Sequence, residues 1–273
     1  MKNIQEKRFK KMLIVGNMSS GKSTFINSIL RENILPTSNQ ACTAKEIKIK
    51  ISNKKKYFSY SLNQRSRSLK KDGREKVSFL NNSYNINKIE IKGPSIFTRL
   101  EGYEIYDSPG PNNSIDEEHK NITLSMLNKG EFEKVIFVFN AGNLFTTDDK
   151  ILLESLLKEK YGIEKKLTIV VNKIDKIHIT EENTDDEIIK KVEEFLEKFG
   201  MKNYNIFLYS SIYFYLKKES EKTKSEKRLL KLLEETYEKN GIKKLKEIRK
   251  KIFRREEIDE RRKDTRDFKR NKV

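Results

Sequence analysis

Eight residues near the amino terminus carry the spacing that phosphate binding demands. Gly16-Asn17-Met18-Ser19-Ser20-Gly21-Lys22-Ser23 fits the pattern G-x-x-x-x-G-K-[ST], in which small residues let successive backbone N–H groups turn inward toward phosphate oxygens. A helix is expected to follow, and its positive amino-terminal end adds to the attraction. Lys22 is placed to reach the β- and γ-phosphates of a nucleotide, and the Ser23 hydroxyl to ligate Mg²⁺. The nucleotide-contacting set expected here is Gly16, Ser19, Ser20, Gly21, Lys22, Ser23 and Thr24. A bare glycine turn is the competing explanation. It is disfavoured because the motif lies between an expected strand and an expected helix, as the chemistry requires.

Three further signals follow in order, each directly after an apolar, strand-like run. Asp107-Ser108-Pro109-Gly110 follows 102–106; a carboxylate at a strand end can hold Mg²⁺ through water, and the Gly110 backbone can approach a γ-phosphate. Asn172-Lys173-Ile174-Asp175 follows 167–171. The Asp175 carboxylate can accept hydrogen bonds from the N1 and N2 protons of guanine, which adenine does not offer, so the expected nucleotide is GTP. Ser210-Ser211 follows 206–209, where a backbone N–H can meet guanine O6. Each motif alone is weak, and the four together in this order are specific.

The elements that must position these residues read as an α/β domain. Met12–Val15 is a buried-strand run, and Phe25, Ile26, Ile29 and Leu30 share the inner face of the helix expected after the loop. Pro36 lies beyond that helix's end. Residues 45–106 alternate apolar and charged positions and predict strands, with Ser61–Ser83 polar enough to be a mobile insertion. Strands are expected at 134–139, 167–171 and 206–209. Helices are expected from Thr146-Thr147-Asp148-Asp149 through Lys158, at 186–199, and from Leu229 onward. Alternating strands and helices imply a mostly parallel central sheet flanked by helices, with a helical carboxyl-terminal extension.

The 273 residues include 59 Lys+Arg against 41 Asp+Glu, a formal charge of +18. The excess is uneven: residues 45–100 hold 15 basic and 4 acidic side chains, 217–273 hold 23 and 13, and 101–216 hold 14 and 22. Such asymmetry suits nucleic acid, an anionic membrane or an acidic partner. A general enrichment in Lys, Asn and Ile explains it equally well. No apolar run approaches the ~18 residues of a spanning helix, and the amino terminus lacks the apolar stretch of a secretory signal. One cysteine and two histidines exclude a disulfide framework and a multi-cysteine zinc site. An intracellular or membrane-peripheral protein is expected.

The segments GNMSSGKSTFINSIL (16–30), ILPTSNQACTAKEIKI (34–49) and VIFVFNAGNLFTTDDKILLESL (135–156) resemble the GTPase domain of dynamin-like proteins, bacterial ones above all. The resemblance covers about residues 10–255, with the basic stretch 52–88 poorly matched. It implies a P-loop GTPase domain over 1–253, carrying 52–88 as an insertion, and a charged tail over 254–273. It implies GTP hydrolysis to GDP and phosphate with Mg²⁺ held by Ser23, Thr43 and Asp107. Thr43 is then the switch threonine whose carbonyl orients the attacking water. Ser19 helps position a monovalent cation (K⁺ or Na⁺) or that water. Lys22 and the Gly110 backbone complete the catalytic set. Pro111 stands where small regulatory GTPases have a water-orienting glutamine, in keeping with the dynamin type, whereas Met18 stands where dynamins often have a glutamine.

The resemblance also implies transient pairing of two such domains, a cytoplasmic location with peripheral attachment to an anionic membrane, and assembly with a stalk. About 11 residues precede the first strand and about 60 follow the last, too few for a stalk. Two alternatives stand beside this reading: a GTPase subunit of a stalk-bearing partner protein, and a switch-type GTPase acting on RNA or ribosomes, where nucleic acid ranks lower because no aromatic stacking motif accompanies the basic segments. Ile242, Leu245, Ile248, Ile252 and Phe253 form an apolar stripe. It is expected to pack on the sheet rather than to lie on a membrane. His119 and His178 are expected in exposed polar loops, and Cys42 as a loop thiol.

Overall fold

The computed structural model describes residues 9–30, 32–37, 46–52, 59–62, 65–68, 88–94, 100–108, 123, 125–126, 132–158, 167–180, 184–218 and 222–252. The strands are β1 (Lys10–Val15), β2 (Glu46–Ile51), β3 (Ser59–Leu62), β4 (Arg65–Ser68), β5 (Lys88–Gly93), β6 (Tyr103–Asp107), β7 (Lys134–Asn140), β8 (Leu167–Asn172) and β9 (Asn205–Tyr209). The helices are α1 (Lys22–Leu30), α2 (Thr147–Lys158), α3 (Ile174–Thr180), α4 (Asp185–Glu197), α5 (Ser211–Lys218) and α6 (Lys224–Ile252). All described strands join one sheet in the order β4-β3-β5-β2-β6-β1-β7-β8-β9.

The five strands from β6 to β9 in that order run parallel. Their alternating side chains divide into two buried layers. Met12, Ile14, Ile136, Val138, Val170 and Tyr209 face Phe25, Ile26 and Ile29 of α1, with α5 and α6 beside them. Leu13, Val15, Phe137, Phe139, Ile169 and Val171 face Leu152, Leu153 and Leu156 of α2 and Val192, Phe195 and Leu196 of α4. Burial on both faces is why β1, β7 and β8 read as continuous apolar runs rather than as alternating ones. Helix α4 starts at a reciprocal cap, in which the Thr184 side chain accepts from the Glu187 N–H and the Glu187 carboxylate accepts from the Thr184 N–H.

The other half of the sheet is built differently. β2 runs antiparallel to β6, β5 parallel to β2, β3 antiparallel to β5, and β4 antiparallel to β3. The expectation of a mobile insertion over Ser61–Ser83 is corrected at its start, because Ser61–Leu62 and Arg65–Ser68 are paired strands. Backbone ladder bonds do not depend on apolar side chains, so a polar segment can extend a sheet edge. The remainder of that stretch, 69–83, lies outside the described residues.

The stripe on α6 packs inward as expected: Leu245 and Ile252 are buried, with Ile242 and Ile248 packed beside them; Phe253 lies outside the described residues. Arg249 joins the stripe. Its guanidinium lies 4.0 Å from the Phe214 ring centroid and donates to the Ser28 carbonyl at 3.2 Å. Helix α6 is interrupted at Glu238 (φ 43°, ψ −168°), a backbone conformation that costs a non-glycine residue about 1–3 kcal/mol. Among the described residues no helix is long and apolar enough to cross a membrane.

Candidate nucleotide-binding site

Parallel strands end in register, so the loops that follow them gather at one edge. Ile14 lies level with Asp107, Val15 with Phe137, and Asn172 with Tyr209. Ligands of open α/β sheets bind outside these carboxyl ends. Of the four expected motifs, the structure brings together the phosphate loop, Asp107, Asn172–Asp175 and Ser210-Ser211.

The loop's glycines are required by close approach. A side chain at Gly16 (φ +151°) would place Cβ 2.4 Å from the Val138 carbonyl oxygen. One at Gly21 (φ +83°) would place it 2.6 Å from Asn172 Nδ2. Between them Met18–Ser20 forms a 3₁₀ turn, with the Ser20 hydroxyl donating to the Asn17 carbonyl at 2.9 Å. Lys22 is 4% exposed, and its ammonium donates to the Gly16 and Asn17 carbonyls at 2.8 and 2.9 Å. A buried cation thus closes the mouth of the loop. Ser19 is exposed at the turn's rim, and Thr24 is half-buried in the first turn of α1.

Ser23, in the first turn of α1, reaches the end of β6, the hydroxyl donating to Asp107 Oδ2 at 3.4 Å. Asp107 is fully buried at the end of β6. Two hard oxygen donors, one of them anionic, fit a Mg²⁺ ion that keeps its other positions for water and phosphate. Thr43 and Gly110, the other expected members, lie outside the described residues.

Asn172 ties three loops together. Its amide donates to the Ser20 carbonyl at 2.9 Å and to that of Gly21 at 3.4 Å, and its oxygen accepts from the Ser211 N–H at 3.1 Å. Of the two backbone N–H groups at Ser210-Ser211, one of which was expected at guanine O6, that of Ser211 is therefore engaged with Asn172 here. Lys173 takes a left-handed φ of 65° beside the phosphate loop. Asp175 is 6% exposed and accepts from the Ser210 hydroxyl at 2.7 Å. Burial pushes its carboxyl up, and the Ser210 bond opposes that shift.

Asp149 belongs to the site and was missed as a functional residue, although its neighbourhood was expected as a helix start. Its oxygens accept from Asn17 Nδ2 at 3.0 Å and from the Thr146 N–H at 3.1 Å, fastening the start of α2 to the phosphate loop. Burial pushes its carboxyl up to about 6, against the hydrogen bonds from Thr146. The signal was present: Leu152, Leu153 and Leu156 follow Asp149 by 3, 4 and 7 residues and so share its inward face. His178 requires a correction. It lies half-buried on α3, with Nε2 and Asp185 Oδ1 2.7 Å apart and Nδ1 3.3 Å from the Tyr237 hydroxyl. Those partners are 7 and 59 positions away, and only folding supplies the second.

Residues 12–175 match the sequence pattern of the Dynamin family. A bacterial dynamin-like protein of Nostoc punctiforme is 26% identical over 170 residues, which cover 58% of this chain and 24% of that protein. Two solved chains of an oligomerised bacterial dynamin pair, described as sensing and tethering membranes over long range, superpose with TM-scores of 0.53 and 0.52. Both are 18% identical, over 89% of this chain and 37% and 36% of theirs. The chain thus spans about a quarter of its curated relative and little more than a third of the solved ones. The match over 12–175, more than half the length and running from the phosphate loop to Asp175, places this chain in the dynamin family.

Proposed function

We propose that this domain binds GTP with Mg²⁺ and hydrolyses it to GDP and phosphate. The observation that carries most weight is the convergence of Lys22, Ser23, Asp107 and Asp175 from three segments at one edge of the parallel sheet. Lys22 exchanges its loop carbonyls for phosphate oxygens as the nucleotide enters. The loop N–H groups and the start of α1 take up the remaining negative charge, and Asp175 reads the guanine edge. Mg²⁺, held by Ser23 and Asp107, supplies neutralisation of charge on the phosphates. Thr43 is assigned the attacking water, the Gly110 backbone the γ-phosphate, and Ser19 a K⁺ or Na⁺ ion or that water. Removing one preorganised electrostatic group of this kind costs about 10²–10³ in kcat.

Relatives that sense and tether membranes support action of the full assembly at an anionic membrane surface, with two GTPase domains pairing across their nucleotides. Domain limits of 1–253 and a charged tail over 254–273 belong to the same proposal. The test is GTP turnover measured alone, with anionic liposomes and with RNA. Turnover is expected to need Mg²⁺, to vanish in Lys22→Ala, and to rise with protein concentration and with liposomes in a salt-sensitive way. A wild-type rate no higher than that of Lys22→Ala overturns the GTPase reading. Stimulation by RNA alone replaces the membrane with a nucleic acid.

A further inference from the structure

One side chain of the phosphate loop is gripped from outside the loop. Thr146 and Asp149 cap the start of α2 reciprocally: the Asp149 N–H donates to the Thr146 hydroxyl oxygen at 3.2 Å, and the Thr146 N–H donates to Asp149 Oδ2 at 3.1 Å. Asn17 joins this cap from the loop. Its Nδ2 donates to Asp149 Oδ1 at 3.0 Å and to the Thr146 hydroxyl oxygen at 3.3 Å. Asn17 is 5% exposed and Asp149 is fully buried, so bulk water has little access to these bonds.

Both acceptors act on the same end of the Asn17 amide. Were the amide reversed, its oxygen would face the Asp149 carboxylate, acceptor against acceptor, in a place nearly closed to water. The amide oxygen is therefore turned toward the loop, where it accepts from the Ser19 hydroxyl at 3.4 Å. That bond uses the single proton of the serine hydroxyl and leaves its lone pairs at the exposed rim of the site. The Ser19 backbone is held separately. Asn140 Nδ2 donates to its carbonyl at 3.4 Å, and the Gly142 N–H donates to the Asn140 oxygen at 3.1 Å. What the Asn17 amide adds is the direction of the Ser19 hydroxyl proton.

We infer that Asp149 is a positioning residue for hydrolysis: through Asn17 it fixes the polarity of the Ser19 hydroxyl, so that Ser19 meets its partner as an acceptor. The inference rests on the GTPase reading above and deepens it, because it states what that partner must be. An acceptor suits a K⁺ or Na⁺ ion, or the attacking water through one of its hydrogens. A hydroxyl free to turn would present its own hydrogen part of the time and repel both. The start of α2 thus enters the chemistry, although none of the four nucleotide motifs includes it.

The test is a double-mutant cycle on GTP turnover with wild type, Asp149→Asn, Ser19→Ala and the double variant. It is run in mildly alkaline buffer, where the Asp149 carboxyl, pushed by burial up to about 6, is ionised. Asparagine at 149 offers a donor as well as an acceptor, so the Asn17 amide can turn over. Asp149→Asn is expected to lower kcat about tenfold, less than the loss of about 10²–10³ on removing a preorganised electrostatic group outright. GDP affinity by calorimetry is expected to hold within about twofold, and Asp149→Asn to add nothing beyond about twofold once Ser19 is Ala. A purely structural role for Asp149 would multiply the two losses instead. Asn17→Ala removes the intermediary and keeps the helix cap, so it carries the same cycle should Asp149→Asn fold poorly. Replacing choline chloride by potassium chloride at constant ionic strength separates the two partners. A half-stimulating K⁺ concentration raised in Asp149→Asn supports the ion, and a lower kcat with K⁺ dependence unmoved supports the water. Losses that multiply, or a kcat unmoved by both Asp149→Asn and Asn17→Ala, overturn the inference alone. Wild-type turnover in Ser19→Ala overturns it together with the role of Ser19, and a wild type without turnover overturns it together with the GTPase reading.

Discussion

Two buried carboxylates show how differently the halves of the sheet are built. Asp149 sits against the parallel half, with an amide and a hydroxyl-bearing turn as its bonded partners, and burial pushes it up to about 6. Glu104 sits on β6, where the mixed half begins. Burial also acts upward on it, but the Tyr106 hydroxyl at 2.9 Å, Lys48 at 3.1 Å and Lys50 at 3.6 Å outweigh burial and hold it below the usual range. One carboxylate is accommodated by neutral dipoles and the other by cations. The same division runs through the side chains. Across β1, β7 and β8 both faces are apolar; across β2, β5 and β6 one face carries Ile47, Ile49, Ile89, Ile91 and Ile105 and the other Lys48, Lys50, Glu90 and Glu104. Part of the basic excess of residues 45–100 is therefore neutralised within the sheet, and does not all remain for an anionic partner.

The sharpest way to break this contrast is to remove apolar volume from the parallel half. Phe137→Ala, at a fully buried ring packed on Phe139 at 4.6 Å, is expected to cost about 3–5 kcal/mol in urea unfolding. A loss under ~1 kcal/mol would show that this layer is not the core.

Next in size is the pH dependence of Asp149. Its folded value of about 6 lies above its unfolded value of 3.8, so the native state binds more protons between those limits. Stability then falls as pH rises through that window, by roughly 3 kcal/mol without nucleotide. Asp149→Asn is expected to flatten the slope, and an unchanged slope would assign it to another group. Glu104 has the opposite sign: its contribution is present above its unfolded value near 4.5 and lost as pH falls through its lowered folded value. Replacing it by Ala removes the carboxylate that the Tyr106 hydroxyl reaches at 2.9 Å and Lys48 at 3.1 Å, for an expected loss of about 1–2 kcal/mol at neutral pH. Lys50→Ala removes a partly exposed side chain that pairs with Glu90 at 3.1 Å, and about 0.5 kcal/mol or less is expected. A Lys50 effect as large as that of Glu104 would erase the distinction between a buried acceptor and its more exposed partner.

The α/β class, the phosphate loop, the strand-end position of Asp107 and the Asn172–Asp175 motif were legible because each depends on a few adjacent residues. Glycines admit a tight loop, apolar runs mark strands buried on both faces, and a motif directly after a strand lies at its carboxyl end. Local spacing alone carries that information. What folding alone decided is held across long separations: the bonds of Asn172 to Ser20 over 152 positions, Asn17 to Asp149 over 132, Arg249 to Ser28 over 221 and Tyr237 to His178 over 59. No periodicity reports such pairs, because a hydrogen-bond partner is chosen by position in space. The extension of the sheet by a serine- and arginine-rich pair of strands was hidden for the same reason: ladder bonds belong to the backbone, and side-chain composition does not reveal which edge will accept them.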